Sequence, residues 1–101
     1  MSSERLTDGE REDALSHLPG WQWDHHRGAI NRQWEFDDFN AAWGFLTRVA
    51  LLAERQDHHP EILCLENRVE LTLTTPGAGG VSPRDIRLAL AISAMFARSE
   101  F

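Results

Sequence analysis

The 101-residue sequence has one cysteine, few basic side chains and no long apolar run. The single Cys64 cannot close an internal disulfide, which fits a reducing compartment. It sits in the apolar stretch 62–65, where a buried, inert thiol is expected. Ten Lys and Arg stand against sixteen Asp and Glu, a formal charge of −6. A phosphate-backbone binder needs a concentrated basic face. The densest basic cluster is Arg84 and Arg87, one helical turn apart, so no nucleic-acid partner is expected. No segment approaches the ~18 apolar residues of a membrane span. The charged start MSSERLTDGERED lacks the apolar run of a signal peptide. These absences predict a soluble, cytoplasmic protein with no membrane contact.

What is present fits one domain spanning 1–101, with no internal repeat, linker or low-complexity tract. A hydrophobic share of 42% can fill one modest core. Chains this short bury a smaller fraction of their surface than larger domains do, so self-association is a natural source of further stability.

A capping box at Thr7 and Glu10 predicts a first helix that carries Ala14, Leu15 and Leu18 inward and stops at Pro19-Gly20. Two alternating runs follow, 21–25 and 29–36, with Arg27-Gly28 as the turn between them. Asp37 or Asp38 caps a long central helix. Phe39, Ala42, Trp43, Leu46, Val49, Ala50 and Ala53 form its apolar stripe. Pro60 ends that helix near His59. A second strand pair is predicted at 62–66 and 69–75, with its turn at Asn67-Arg68. Val69, Leu71 and Leu73 alternate with Glu70, Thr72 and Thr74, giving one covered face and one polar face. After the glycine-rich loop 77–80, Ser82-Pro83-Arg84-Asp85 starts a last helix. That helix carries Ile86, Ala89, Leu90, Ser93 and Phe96 on one side. The expected fold is α+β, in the order α-β-β-α-β-β-α: a four-stranded antiparallel sheet with three helices packed on one face.

The run from Glu54 to Glu61 places His58 and His59 at a helix exit, held extended by Pro60. Imidazole titrates near neutrality, so one ring can donate a proton while its neighbour accepts one. The alternative is a solvated helix terminus, where histidines meet the negative end of the helix dipole. Adjacent histidines diverge, no cysteine is near and no third ligand has a recognisable spacing, so no metal or bound cofactor is expected. His25, His26 and His17 read as surface residues.

Four pieces, FDDFNAAWGFLTRVALLAE, DHHPE, NRVELTLTT and AGGVSPRDIRLA, follow one another between Phe36 and about Phe96. Their order and spacing resemble the core of the pterin-4a-carbinolamine dehydratase family, and LPGW near the N-terminus matches as well. The resemblance implies removal of water from a 4a-hydroxy-tetrahydropterin. One proton goes to the leaving hydroxyl and another leaves a ring nitrogen. It also implies catalytic roles for His58, His59 and Asp85, with Glu54, Pro60, Glu61 and Thr75 around the substrate. Asp85 has a second reading, as an N3 carboxylate that stabilises its helix start.

The sequence departs from the family pattern at three positions. Pro76 stands after Thr74-Thr75 where the family has its third histidine, and it offers neither a titratable group nor a backbone donor. Ile62 and Glu66 replace the usual aromatics, with Glu66 expected to bring negative charge near the pocket. The resemblance therefore points first to a non-catalytic interaction module. Its best specific form is a Rubisco assembly factor associated with the α-carboxysome, with the Rubisco large subunit as client. The alternative is a weakly active 4a-hydroxytetrahydrobiopterin dehydratase in tetrahydropterin recycling, for which a pterin is the ligand. Both readings share a homodimer or larger homo-oligomer, since an unpaired sheet edge is a liability.

Overall fold

The computed structural model describes residues 4–99; the ends of the expected 1–101 domain, 1–3 and 100–101, lie outside the described residues. The elements are α1 (Asp8–Leu15), β1 (Gln22–Asp24), β2 (Ala29–Glu35), α2 (Phe39–Gln56), β3 (Glu61–Leu65), β4 (Arg68–Leu73) and α3 (Pro83–Ala97), with a 3₁₀ turn at Pro76–Ala78 before α3. The expected order α-β-β-α-β-β-α holds. The sheet is antiparallel throughout, in the spatial order β1-β2-β4-β3.

Each helix begins where the sequence supplies a cap. Thr7 and Glu10 exchange both capping-box hydrogen bonds, and those bonds hold the Glu10 carboxyl below the usual carboxylate range. Asp38, not Asp37, caps α2, and Ser82 with Asp85 forms a second capping box with Pro83 at N1. α1 is shorter than expected. It ends at Leu15, and Leu18 reaches the core from the turn that follows.

The inner face of the sheet carries Ile30, Trp34, Val69, Leu71 and Leu73 against Phe45, Leu46 and Val49 of α2 and Leu88 and Ile92 of α3. Phe45 is fully buried and centres this core, with its ring 4.8 Å from Trp34, 5.2 Å from Phe36 and 5.8 Å from Phe96. Here the expected α2 stripe needs correction. Phe39 and Trp43 are more than half exposed, and Phe45 takes the inward position. An aromatic cluster from β2 and α3 sets which side of α2 turns in, so spacing alone chooses a stripe rotated toward the next face. α3 differs in the same way, with Leu88 and Ile92 buried and Leu90 exposed.

On the opposite face β2 and β4 carry Asn31, Gln33, Glu35, Arg68, Glu70 and Thr72, none of them apolar, and β3 adds Leu63 and Leu65 beside them. β3 is an edge strand with Ile62, Leu63 and Leu65 about half exposed or more. Its hairpin turn is Glu66-Asn67, one residue earlier than expected, because Leu65 pairs with Arg68. Asn67 fixes that register, since its side chain donates to the Phe36 carbonyl and its own carbonyl accepts from Phe36 N. Glu66 is thereby held at φ 55°, a left-handed conformation that normally goes to glycine. No helix among the described residues is long and apolar enough to cross a membrane. Relief of the backbone strain predicts that Glu66→Gly stabilises the fold by about 1 kcal/mol, read as a higher urea midpoint at unchanged slope.

Candidate functional site

α2 ends at Gln56, and its C-cap Asp57 turns left-handed at φ 51° and ψ 46°. That turn redirects the chain so that His58 points into the protein and His59 out of it. His58 is 9% exposed, whereas the His59 side chain is 60% exposed. Pro60 then carries the chain into β3, at the end of the sheet where β4 runs out to Thr74 and Thr75.

Beneath His58 lies a buried polar network. Asp85 is fully buried, with one carboxylate oxygen 2.5 Å from His58 Nε2. Its other oxygen accepts from Thr75 Oγ1 at 2.7 Å and from Ser82 N at 2.9 Å. Thr75 has one hydroxyl proton and gives it to Asp85, so at 2.7 Å it must accept from Ser82 Oγ. A carboxylate that only accepts places the proton of His58 on Nε2 and leaves Nδ1 as an acceptor. His59 Nε2 pairs with the exposed Glu54 carboxylate at 3.1 Å. Each histidine therefore has its own carboxylate partner.

Arg84, one residue after the N1 proline of α3, donates to the Asp57 carbonyl at 2.5 Å. It ties the start of α3 to the end of α2. Asp57, His58, His59, Thr74, Thr75, Pro76, Gly77 and Arg84 enclose an open cleft of about 420 Å³. That volume suits a small heterocycle. Among the described residues, no three His, Cys, Asp or Glu side chains gather to hold a metal ion.

The structure thus brings together His58, His59, Asp85, Glu54, Thr75 and Pro76 of the residues singled out in the sequence, with Pro60 adjacent. Glu61 lies on the open face of the sheet, where Arg27 holds it at 2.6 Å. Ile62 and Glu66 do not line the cleft. Ile62 pairs with Leu71 along the β3 edge. Glu66 sits at the far tip of the β3–β4 hairpin, six residues beyond Pro60 and roughly 20 Å from it at the usual rise per strand residue. The expected negative charge near the pocket is therefore not supplied by Glu66 of the same chain. Sequence reasoning missed Ser82 and Arg84 as parts of the site. Both were visible only as helix-start residues, and that role hid their second contacts.

A family model described as pterin 4 alpha carbinolamine dehydratase matches residues 4–95. The chain belongs to that family. A family member from Rhizorhabdus wittichii, provisionally named a pterin-4-alpha-carbinolamine dehydratase, is 56% identical over 94% of this chain and 98% of its own length. One of the same name from Rhodopseudomonas palustris is 53% identical over 93% of each chain. A crystal structure described as a transcriptional coactivator/pterin dehydratase from Brucella melitensis superposes with a TM-score of 0.87. It is 44% identical over 91% of this chain and 98% of that one.

Asp85→Ala leaves a buried imidazole, a threonine hydroxyl and a helix-cap N–H without their acceptor. It is expected to destabilise the protein by about 3 kcal/mol in denaturant unfolding, while Glu54→Ala at the exposed pair changes stability by less than about 0.5 kcal/mol.

Proposed function

We propose that the chain binds a 4a-hydroxy-tetrahydropterin in the cleft at His58 and His59 and removes water from it at a reduced rate. The observation that carries this reading is the pairing of each histidine with a carboxylate at one cleft. His58, its Nε2 proton committed to Asp85, has Nδ1 free to take a proton from the pterin ring nitrogen. His59, steadied by Glu54, delivers a proton to the departing hydroxyl. The hydroxyl leaves as water, the ring nitrogen gives up its proton, and the quinonoid dihydropterin results with no net redox change. Pro76 lines the same cleft where the third family histidine is expected, and it can neither donate nor accept a proton. Loss of one general acid-base group costs about 10²–10⁴-fold in rate, which leaves measurable turnover.

A second reading keeps the fold for protein assembly, with the Rubisco large subunit at the α-carboxysome as its best specific client. Exposed apolar surface supports an interaction role: Phe39, Trp43 and Leu51 on α2, and Ile62, Leu63 and Leu65 on β3. Both readings include a homodimer, and the apolar, unpaired β3 edge is the surface that favours it.

Wild-type protein is expected to dehydrate a carbinolamine faster than the spontaneous reaction, with His59→Ala abolishing the gain and Pro76→His raising it about 10²-fold. A wild-type rate equal to the spontaneous one would sink the enzyme reading. Sizing in dilute solution is expected to give at least twice the chain mass of 11.5 kDa. Elution as a monomer removes the dimer.

A further inference from the structure

Arg5, Arg11 and His25 lie apart from the cleft at His58 and take no part in the chemistry proposed there. They line a second cavity, of about 580 Å³, between the N-terminal segment, the β1–β2 turn and the loop 79–81. The two cavities share no lining residue. In a chain of net charge −6, Asp8 is the one carboxylate among the residues lining this second cavity. Two arginines against one acid give it the opposite sign to the chain as a whole.

Each basic side chain is placed there by the fold. Leu6 N donates to the Val81 carbonyl at 2.8 Å, which fixes the segment bearing Arg5 against the loop. The stem of Arg5 then crosses Gly80, where a Cβ would come within 2.9 Å of the arginine Cδ. The Arg5 guanidinium makes no hydrogen bond or ion pair with a described residue. Arg11 lies on the Trp23 ring, 3.8 Å from its centroid, with 13% of its side chain exposed. Its ion pair is with Asp8, whose carboxylate is 92% exposed, and a partner so open to water holds an arginine weakly. Arg11 Nε is buried and meets no acceptor among the described residues, a costly state for a donor. His25 rides on a turn that Asp24 closes by accepting from Arg27 N at 3.2 Å.

We infer that this cavity binds the phosphate group of a small phosphomonoester. A guanidinium presents a rigid fork of N–H donors that matches phosphate oxygens in pairs. Stacking on Trp23 covers a face of the Arg11 fork and leaves its edge donors for a ligand. Arg5 supplies a second fork and His25 a ring nitrogen, so more than two oxygens are served, whereas a carboxylate has only two. A phosphate group fills a small part of the cavity. Trp23 and Leu6 give the remainder an apolar lining for the alcohol half of the ester. Two arginines are too few to hold a nucleic-acid backbone. The assignment uses none of the cleft residues and does not rest on the pterin reading.

Calorimetric titration of the full chain with phenyl phosphate and with inorganic phosphate tests the site. Phenyl phosphate is expected to saturate it with a Kd of roughly 1 mM or below, and inorganic phosphate to bind more weakly. Arg5 is exposed, so Arg5→Ala keeps the fold and should weaken phenyl phosphate binding at least roughly 10-fold. Asp8→Asn removes the one lining acid and should tighten it. Arg55→Ala, at an exposed position on α2, changes the total charge by as much as Arg5→Ala does and should leave binding as in the wild type. Arg84→Ala should do the same, which separates this cavity from the cleft. No saturable binding of either anion overturns the site, as does binding that survives Arg5→Ala or falls equally in Arg55→Ala. Loss of binding in Arg84→Ala places the anion in the cleft and overturns the site as well. Equal affinity for the two probes overturns the monoester as its ligand.

Discussion

The site depends on one fully buried carboxylate. Asp85 accepts from Ser82 N, from the Thr75 hydroxyl and from His58 Nε2. Those three groups belong to the cap of α3, the end of β4 and the exit of α2. An ionisable group without water is tolerated only when its hydrogen-bonding capacity is met from all sides. That requirement draws three otherwise separate chain ends to one point. The two readings of Asp85 offered by the sequence, helix cap and site residue, are therefore one arrangement. The same carboxylate caps the helix and orients the imidazole.

Much of this was legible in the sequence because it rests on local rules. The caps at Thr7, Asp38 and Ser82 follow from side chains that reach backbone donors two or three residues away. The period-two run from Val69 to Leu73 marks its own covered face. What was not legible depends on partners far along the chain. Phe45 turns inward because Trp34, Phe36 and Phe96 surround it, and no spacing rule within α2 favours it over Phe39 or Trp43. The hairpin turn moved by one residue because Asn67 clasps Phe36 across the sheet. Within the site, the histidines announced themselves by type and pairing. Arg84 did not, since its bond to Asp57 joins residues 27 positions apart.

The replacements at Pro76, Ile62 and Glu66 look in the sequence like scattered damage to one pocket. In space they divide into two groups. Pro76 lies inside the cleft and removes a proton carrier. Ile62 and Glu66 lie on the β3 hairpin, where they leave an apolar edge strand ending in an acidic tip. On the dehydratase reading proposed above, the first change bears on proton transfer, while the second alters the exposed sheet edge. A chain altered in both ways can keep its family fold while its chemistry and its associations vary separately.

The clasp between Arg84 and the Asp57 carbonyl has a mechanical consequence. It joins the first turn of one helix to the last turn of another, at the point where the backbone reverses hand to present two imidazoles. The spacing between the rings is thereby set by how the two helices are docked, not by the rotamers of a free loop. His58 is held by Asp85 of α3 and His59 by Glu54 of α2, so a change in how those helices dock would move the two imidazoles relative to one another with every cleft residue unchanged.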